Sequence, residues 1–249
     1  MRKRRGNTRY FAWFLTIIGG SYLAFRLILL LLYSLNIFLI KDLSFTGQMA
    51  MATDNLKQAG DDLIGRNLFR VSQEEVKDIY SSFSRIKDLS ISRKLFNKLQ
   101  INIVERKPVF QVLTRDGKIL IVDDESVILS LSESSQPENP TIISVQAVSD
   151  TLEPGKSLKD PFLAEMLKMY PDIKEAEPDF FDFISEIYVK DNDLYLVESR
   201  QGYRIILPRE DLLQNIIDYM DIKNTYSFDN KTIIDMTIEN NYRVSKRED

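Results

Sequence analysis

The chain has 249 residues, a formal charge of −4 and neither cysteine nor histidine, which excludes disulfide stapling, Cys/His and Ser/His catalysis and histidine-bound zinc at the outset. With 44% hydrophobic and 28% charged residues it is a folding chain, long enough for one membrane element and one or two domains. The charge is uneven: Arg2, Lys3, Arg4, Arg5 and Arg9 give the first ten residues +5, leaving −9 on the rest, and so acidic a body repels the phosphates of a nucleic-acid partner, so none is expected.

Residues 1–10 are expected to form a cytoplasmic basic tail. Residues 11–40 are almost wholly apolar, with Arg26 as the one charged side chain. A hydrocarbon core about 30 Å thick takes about 20 helical residues, so a single transmembrane helix over 11–36 fits. The competing reading is a signal peptide, whose apolar region of about 7–15 residues precedes a small-residue cleavage site; "LNIFLIKDL" offers no such site. Because the basic flank is N-terminal, the positive-inside rule leaves the bulk of the chain periplasmic or extracellular. Arg26 sits about 15 residues, roughly 22 Å, into the span. Two readings stay open for it: its head snorkels to the outer interface, or it pairs with an acid or carbonyl on a partner's transmembrane helix.

A small α+β pattern follows. "FLIKDLSF" alternates through Leu39, Leu43 and Phe45 and is closed by Gly47. A helix is expected with Leu56, Ala59 and Leu63 on one face and Gly65 as its left-handed cap. Ser72 with Glu75 three residues on predicts a capping box for a second helix, whose stripe is Val76, Ile79, Tyr80 and Phe83. Strands over 88–93 and 99–105 complete the order β-α-α-β-β.

That order after a single N-in span, with "GRNLFRVSQEEV" between the helices and "LQINIVERKPV" as the last strand, resembles the POTRA domain of the FtsQ/DivIB cell-division family. The residues that carry the resemblance are Gly65, Asn67, Leu68, Phe69, Glu105, Arg106 and Pro108. POTRA domains of outer-membrane assembly proteins share parts of both motifs but usually precede a membrane barrel, for which this sequence has no room. The expected division is a POTRA domain over 37–107, a β domain over 108–246 and a tail at 247–249. Glu105 and Arg106 are expected to end the last POTRA strand, and Pro108, which lacks an N–H, to turn the chain into the β domain and set the angle between the two.

The remainder is similar to the family's mainly antiparallel β domain with flanking helices. "VFQVLTRDGKILIVDDESVIL" reads as strand, Asp116-Gly117 turn, strand and a second turn at residues 123–126, with Ser126 where the family commonly has glycine. A polar loop spans 130–140. Asp160 and Pro161 open a helix with Phe162, Met166 and Met169 or Tyr170 inward. Strands follow near 184–190, 194–199 and 203–207. A helix from Pro208 presents Leu212, Leu213, Ile216, Ile217 and Met220, and a closing hairpin pairs 232–238 with 242–245 across Asn240-Asn241.

Candidate chemistry is thin. Asp123, Asp124 and Glu125 read as a solvated turn, since three consecutive side chains do not converge on one point, and glycosidase chemistry needs two carboxylates at a set separation. "PGKS" lacks the first glycine and the strand-loop-helix setting of a P-loop. Phe180, Phe181 and Phe183 read as core. No enzyme, cofactor or metal site is expected.

What remains is binding. A C-terminal strand at a sheet edge leaves N–H and C=O groups that another chain can extend. The resemblance implies that this edge receives a strand from an FtsB-like protein, itself coiled with an FtsL-like one, in a septal scaffold that controls a peptidoglycan synthase of the FtsW/FtsI type. The expected edge residues are Ile234, Met236, Ile238, Tyr242, Arg243 and Val244. Ile238 stands where the family often has an aromatic residue, and Lys246 where some members have tryptophan. The alternative reading is a POTRA-bearing secretion or outer-membrane assembly factor that receives nascent chains.

Overall fold

The computed structural model describes residues 7–34, 38–47, 51–94, 97–131, 141–146, 152–238 and 241–246. Residues 1–6, most of the expected polar loop, Asn240 and the 247–249 tail lie outside them. The chain forms two compact units, one of residues 1–81 and 88–104, the other of Ser82–Lys87 and Glu105–Asp249. The expected boundary after Lys107 therefore falls after Val104, with residues 82–87 counted in the second unit.

In the first unit, α1 (Asn7–Ser34) carries a stretch, Tyr10–Leu31, that is long and apolar enough to cross a membrane and is not buried against the rest of the protein. A helix suits that role because every mid-span N–H and C=O is paired within it. Arg26 makes a polar contact within its own helix. Its Nε donates to the Tyr22 hydroxyl one turn earlier at 2.9 Å, and the guanidinium lies 5.4 Å from that ring's centre.

Strand β1 (Asp42–Thr46), helices α2 (Thr53–Ala59) and α3 (Gln73–Tyr80), and strands β2 (Ile86–Lys94) and β3 (Lys98–Glu105) follow in the expected order. The sheet runs β1-β3-β2, with β1 parallel to β3 and Leu43 opposite Leu99. Its alternation buries Leu43, Leu99, Ile101 and Ile103 against Leu56, Val76 and Tyr80 from the helices. Ser72 caps α3 by accepting from the Glu75 N–H at 3.1 Å, but the other half of the capping box is missing, because the Glu75 carboxylate is taken by Arg66 at 2.6 Å. Phe83 lies past the helix end.

The first helix is shorter than its apolar stripe. It stops at Gly60, and a short 3₁₀ turn (Asp61–Leu63) carries the chain on. Gly65 does adopt the left-handed conformation (φ +82°). The glycine at position 60 has a packing cause: a Cβ there would lie 2.4 Å from the Tyr80 hydroxyl and 2.7 Å from Leu43 Cδ1, and that hydroxyl donates to the Leu56 carbonyl. Gly60→Ala is expected to cost about 1–3 kcal/mol by overpacking. Hydrogen exchange in α2 and α3 should rise, and adding Tyr80→Phe, which removes the clashing oxygen, should restore part of the protection.

The second unit is built on one nine-stranded sheet. Its strands are β4 (Phe110–Leu113), β5 (Ile119–Val122), β6 (Ile128–Leu129), β7 (Ile142–Ser144), β8 (Ile184–Lys190), β9 (Asp193–Glu198), β10 (Arg204–Leu207), β11 (Thr232–Asp235) and β12 (Arg243–Lys246), in the spatial order β12-β11-β10-β9-β8-β7-β4-β5-β6. Among the described residues five neighbouring pairs are antiparallel and three parallel, so the α+β, mainly antiparallel class holds. Helices α4 (Pro161–Ala176), α5 (Phe180–Phe183) and α6 (Leu212–Thr225) bury their apolar sides with the inward residues of β4 and β8–β11.

Asp160 caps α4 as expected, accepting from the Phe162 and Leu163 N–H groups. The inward residues are Leu163, Met166 and Ile173, with Phe162 only half-buried. Helix α6 starts at Leu212 rather than after Pro208. Asp211 is left-handed (φ +47°), and Asn215 Nδ2 ties residues 208 and 210 to the first turn through their carbonyls.

Candidate partner-binding edge

The C-terminal edge follows from one crossover and one hairpin. After β10 the chain climbs through α6 and returns as β11 parallel to β10, and β12 then pairs antiparallel with β11, Ile234 opposite Val244 and Asp235 opposite Arg243. Asp235 ends β11 by accepting from the Thr237 N–H and hydroxyl, an Asx-type turn that competes with the ladder. The hairpin is pinned at its far end: Lys246 pairs with Asp229 at 3.0 Å, and Asp229 also accepts from the Thr232 hydroxyl at 2.7 Å. The Thr232 hydroxyl first and Lys246 second hold the Asp229 carboxyl down to about 2.

The two ends of the large sheet differ. Beyond β6 the chain doubles back, so that the Ile128 N–H donates to the Lys156 carbonyl, Gly155 donates to Ile128 and Leu158 to Ser126. That edge is closed. Beyond β12 no main-chain hydrogen bond is made among the described residues, and all four strand residues are exposed. An unpaired strand edge is a template for another strand.

The side chains around the edge sort into three places. Ile234, expected at the interface, is instead fully buried in the core; it anchors the hairpin and is not available to a partner. Val244, its cross-strand neighbour, is 49% exposed. Met236, Ile238 and Tyr242 line an open groove of about 470 Å³ whose other wall is Asn215, Asp218 and Ile222 of α6. Arg243 is exposed. Tyr226, not singled out in the sequence, is 55% exposed, and its hydroxyl beside Tyr242 raises the Tyr242 phenol above its ordinary range. Two tyrosines thus stand at this edge, although Ile238 and Lys246 occupy positions where aromatics were looked for.

The "GRNLF" motif has a different task. The Gly65 N–H donates to Ile40 O, Ile40 N–H to Arg66 O and Leu68 N–H to Phe38 O, each at 2.8 Å. The Phe69 ring meets Phe38 edge-on at 5.1 Å, and Asn67 accepts from the Phe69 N–H. The loop grips the stretch that enters the first unit from α1. Residues 38–106 match the POTRA domain, FtsQ-type. That FtsQ-type domain supports an assignment to the FtsQ/DivIB family. A comparison with curated proteins returned no match.

The "ERKP" end of the motif is an ion-pair centre inside the second unit. β3 stops at Glu105, whose carboxylate lies 3.6 Å from Arg85 with both side chains nearly buried. Arg106 donates its N–H to the Arg85 carbonyl and its guanidinium to Asp123 at 2.5 Å and Glu125 at 2.8 Å. Pro108 is buried, and Val109 opens the next ladder by donating to Val122.

The acidic turn is therefore only partly solvated, with Asp124 and Glu125 exposed. Asp123 is fully buried, its Oδ1 accepting from the Glu125 and Val127 N–H groups, so Asp123 and Glu125 do converge, on Arg106. Lys87 pairs with Asp124 and Glu125. Glu125 is held below the usual carboxylate range by Arg106 and then by Lys87. Ser126 stands left-handed at φ +62°, a conformation that favours glycine.

Proposed function

We propose that this protein is a bitopic scaffold of the bacterial divisome that captures FtsB-like and FtsL-like partners by strand addition on β12 and so helps control an FtsW/FtsI-type septal peptidoglycan synthase. The FtsQ-type POTRA domain supports a cell-division role of a non-catalytic, scaffolding kind, and the apolar α1 helix supports membrane anchoring. The observation that carries the partner-binding step is the contrast between the two sheet edges: β6 is closed by residues 155–158, while β12 is open and flanked by Val244, Tyr242 and Tyr226. Strand addition draws affinity from main-chain hydrogen bonds and specificity from alternate side chains.

The N-terminus is cytoplasmic in this reading and the two units lie outside the cytoplasm. A fluorescent fusion to the cytoplasmic end should give a band at midcell in dividing cells. Uniform envelope signal throughout division would instead fit the secretion or assembly reading and exclude this one.

A further inference from the structure

We infer that the membrane-proximal end of the POTRA unit is a docking surface for anionic phospholipid headgroups. The tether is short. Helix α1 ends at Ser34 and the gripped stretch starts at Phe38, with three residues between them, a separation of at most about 14 Å, and the sequence between them and on to Ile40, "LNIFLI", is apolar but for Asn36.

Two further segments are fastened to that stretch. Residues 65–68 bond to residues 38 and 40, and the Lys41 N–H donates to the Asn97 carbonyl. Arg93 locks the arrangement by donating to the Leu68 and Val71 carbonyls at 2.9 Å each. The loop 64–70 and the turn flanks 93–94 and 97–98 are thus held within a short reach of the bilayer whatever the tilt of the unit.

These segments are electrostatically unlike the rest of the chain. Lys41, Arg66, Arg70, Arg93, Lys94 and Lys98 fall on them and no acid does, while the chain beyond residue 10 carries −9. Arg66 and Lys98 reach out to Glu75 and Asp42 in surface pairs, which contribute little and exchange readily. Lys41, Arg70 and Lys94 are exposed and have no carboxylate partner among the described residues. Ile64, 43% exposed, adds an apolar contact. Cations and one exposed aliphatic on linked segments tethered at the membrane surface complement an anionic headgroup layer, where each cation strengthens attachment about fivefold. This surface is separate from the β12 edge and rests on α1 crossing the membrane.

Because the chain has no cysteine, Ile64→Cys gives a single labelling site on an exposed side chain. The full chain, labelled there with an environment-sensitive fluorophore, would be placed in nanodiscs whose lipids carry a headgroup quencher. Quenching should be at least about twofold stronger with one-third phosphatidylglycerol than in phosphatidylcholine alone. It should fall to the phosphatidylcholine level in about 0.5 M salt or with Lys41→Gln, Arg70→Gln and Lys94→Gln combined. Should the triple variant lose the native exchange pattern, Arg70→Gln alone should lower the effect measurably. Equal quenching in the two lipids, or quenching indifferent to both the substitutions and salt, would overturn the inference.

Discussion

Prolines placed one at a time at Val244 and Ser245 should have unlike effects on partner capture and on the hairpin. Along a strand the N–H groups alternate between the two neighbours, so of two adjacent residues one donates toward β11 and the other outward. Proline has no N–H to give. The outward-facing substitution should leave thermal stability almost unchanged and weaken binding of an FtsB-like partner by roughly tenfold or more, the scale of one lost hydrogen bond plus the ring's obstruction. The inward-facing one should loosen the β11–β12 ladder and lower both.

Binding isotherms with the partner's C-terminal peptide read this directly, and unchanged affinity in both variants would exclude β12 as the docking strand. The same isotherms should be flat between about pH 5 and 9. Asp229, with its folded pKa depressed to about 2, keeps its stabilising pairs above the ordinary carboxylate value and loses them only as pH falls toward 2. Tyr242, raised by Tyr226, contributes below its ordinary phenol value and loses that contribution only as pH rises through the higher folded one.

Asp123→Ala should be the most destabilising single change in the second unit. It deletes the acceptor for two turn N–H groups and one of the two carboxylates on Arg106. Breaking a buried, hydrogen-bonded ion pair costs about 3–5 kcal/mol; with Glu125 still present for Arg106, about 3 kcal/mol is expected, or roughly 6–12 °C in Tm for a unit of this size. Arg106→Ala should cost less than Asp123→Ala, because the two N–H donors still satisfy the carboxylate. The double variant should cost less than the sum of the two. Acid melting is a second check: Glu125, depressed by Arg106 and Lys87, stabilises fully above about 4.5 and loses that contribution as pH falls below. Strict additivity in the cycle would show that Arg106 and Asp123 do not act as a pair.

Local signals were legible in the sequence where a single residue type dictates the backbone. The thirty-residue apolar run, Ser72 and Asp160 as caps and the alternating strands each require only neighbours in sequence. Features set by tertiary packing were not. Position 60 has to be glycine because Tyr80, twenty residues on, occupies the space a Cβ would take, and Asp123 is buried where Arg106 meets it at the open end of the β4–β5 hairpin.

The site shows the same division. Period-two alternation placed Ile234 and Met236 on one face of the last hairpin, but could not say that this face is the core, since an edge strand alternates whichever side is covered. Val244, on the opposing strand, keeps its exposure only because it lies at the margin of that core. Tyr226 lies outside the hairpin and becomes part of the edge only through its nearness to Tyr242.

The most direct test of β12 as the partner edge is amide hydrogen exchange on the full chain in nanodiscs, with and without the FtsB-like partner. On binding, exchange should slow across β12 (Arg243–Lys246) and remain unchanged at the closed edge, β6 (Ile128–Leu129). Saturating partner binding with the β12 amides exchanging as fast as before would contradict strand addition at this edge.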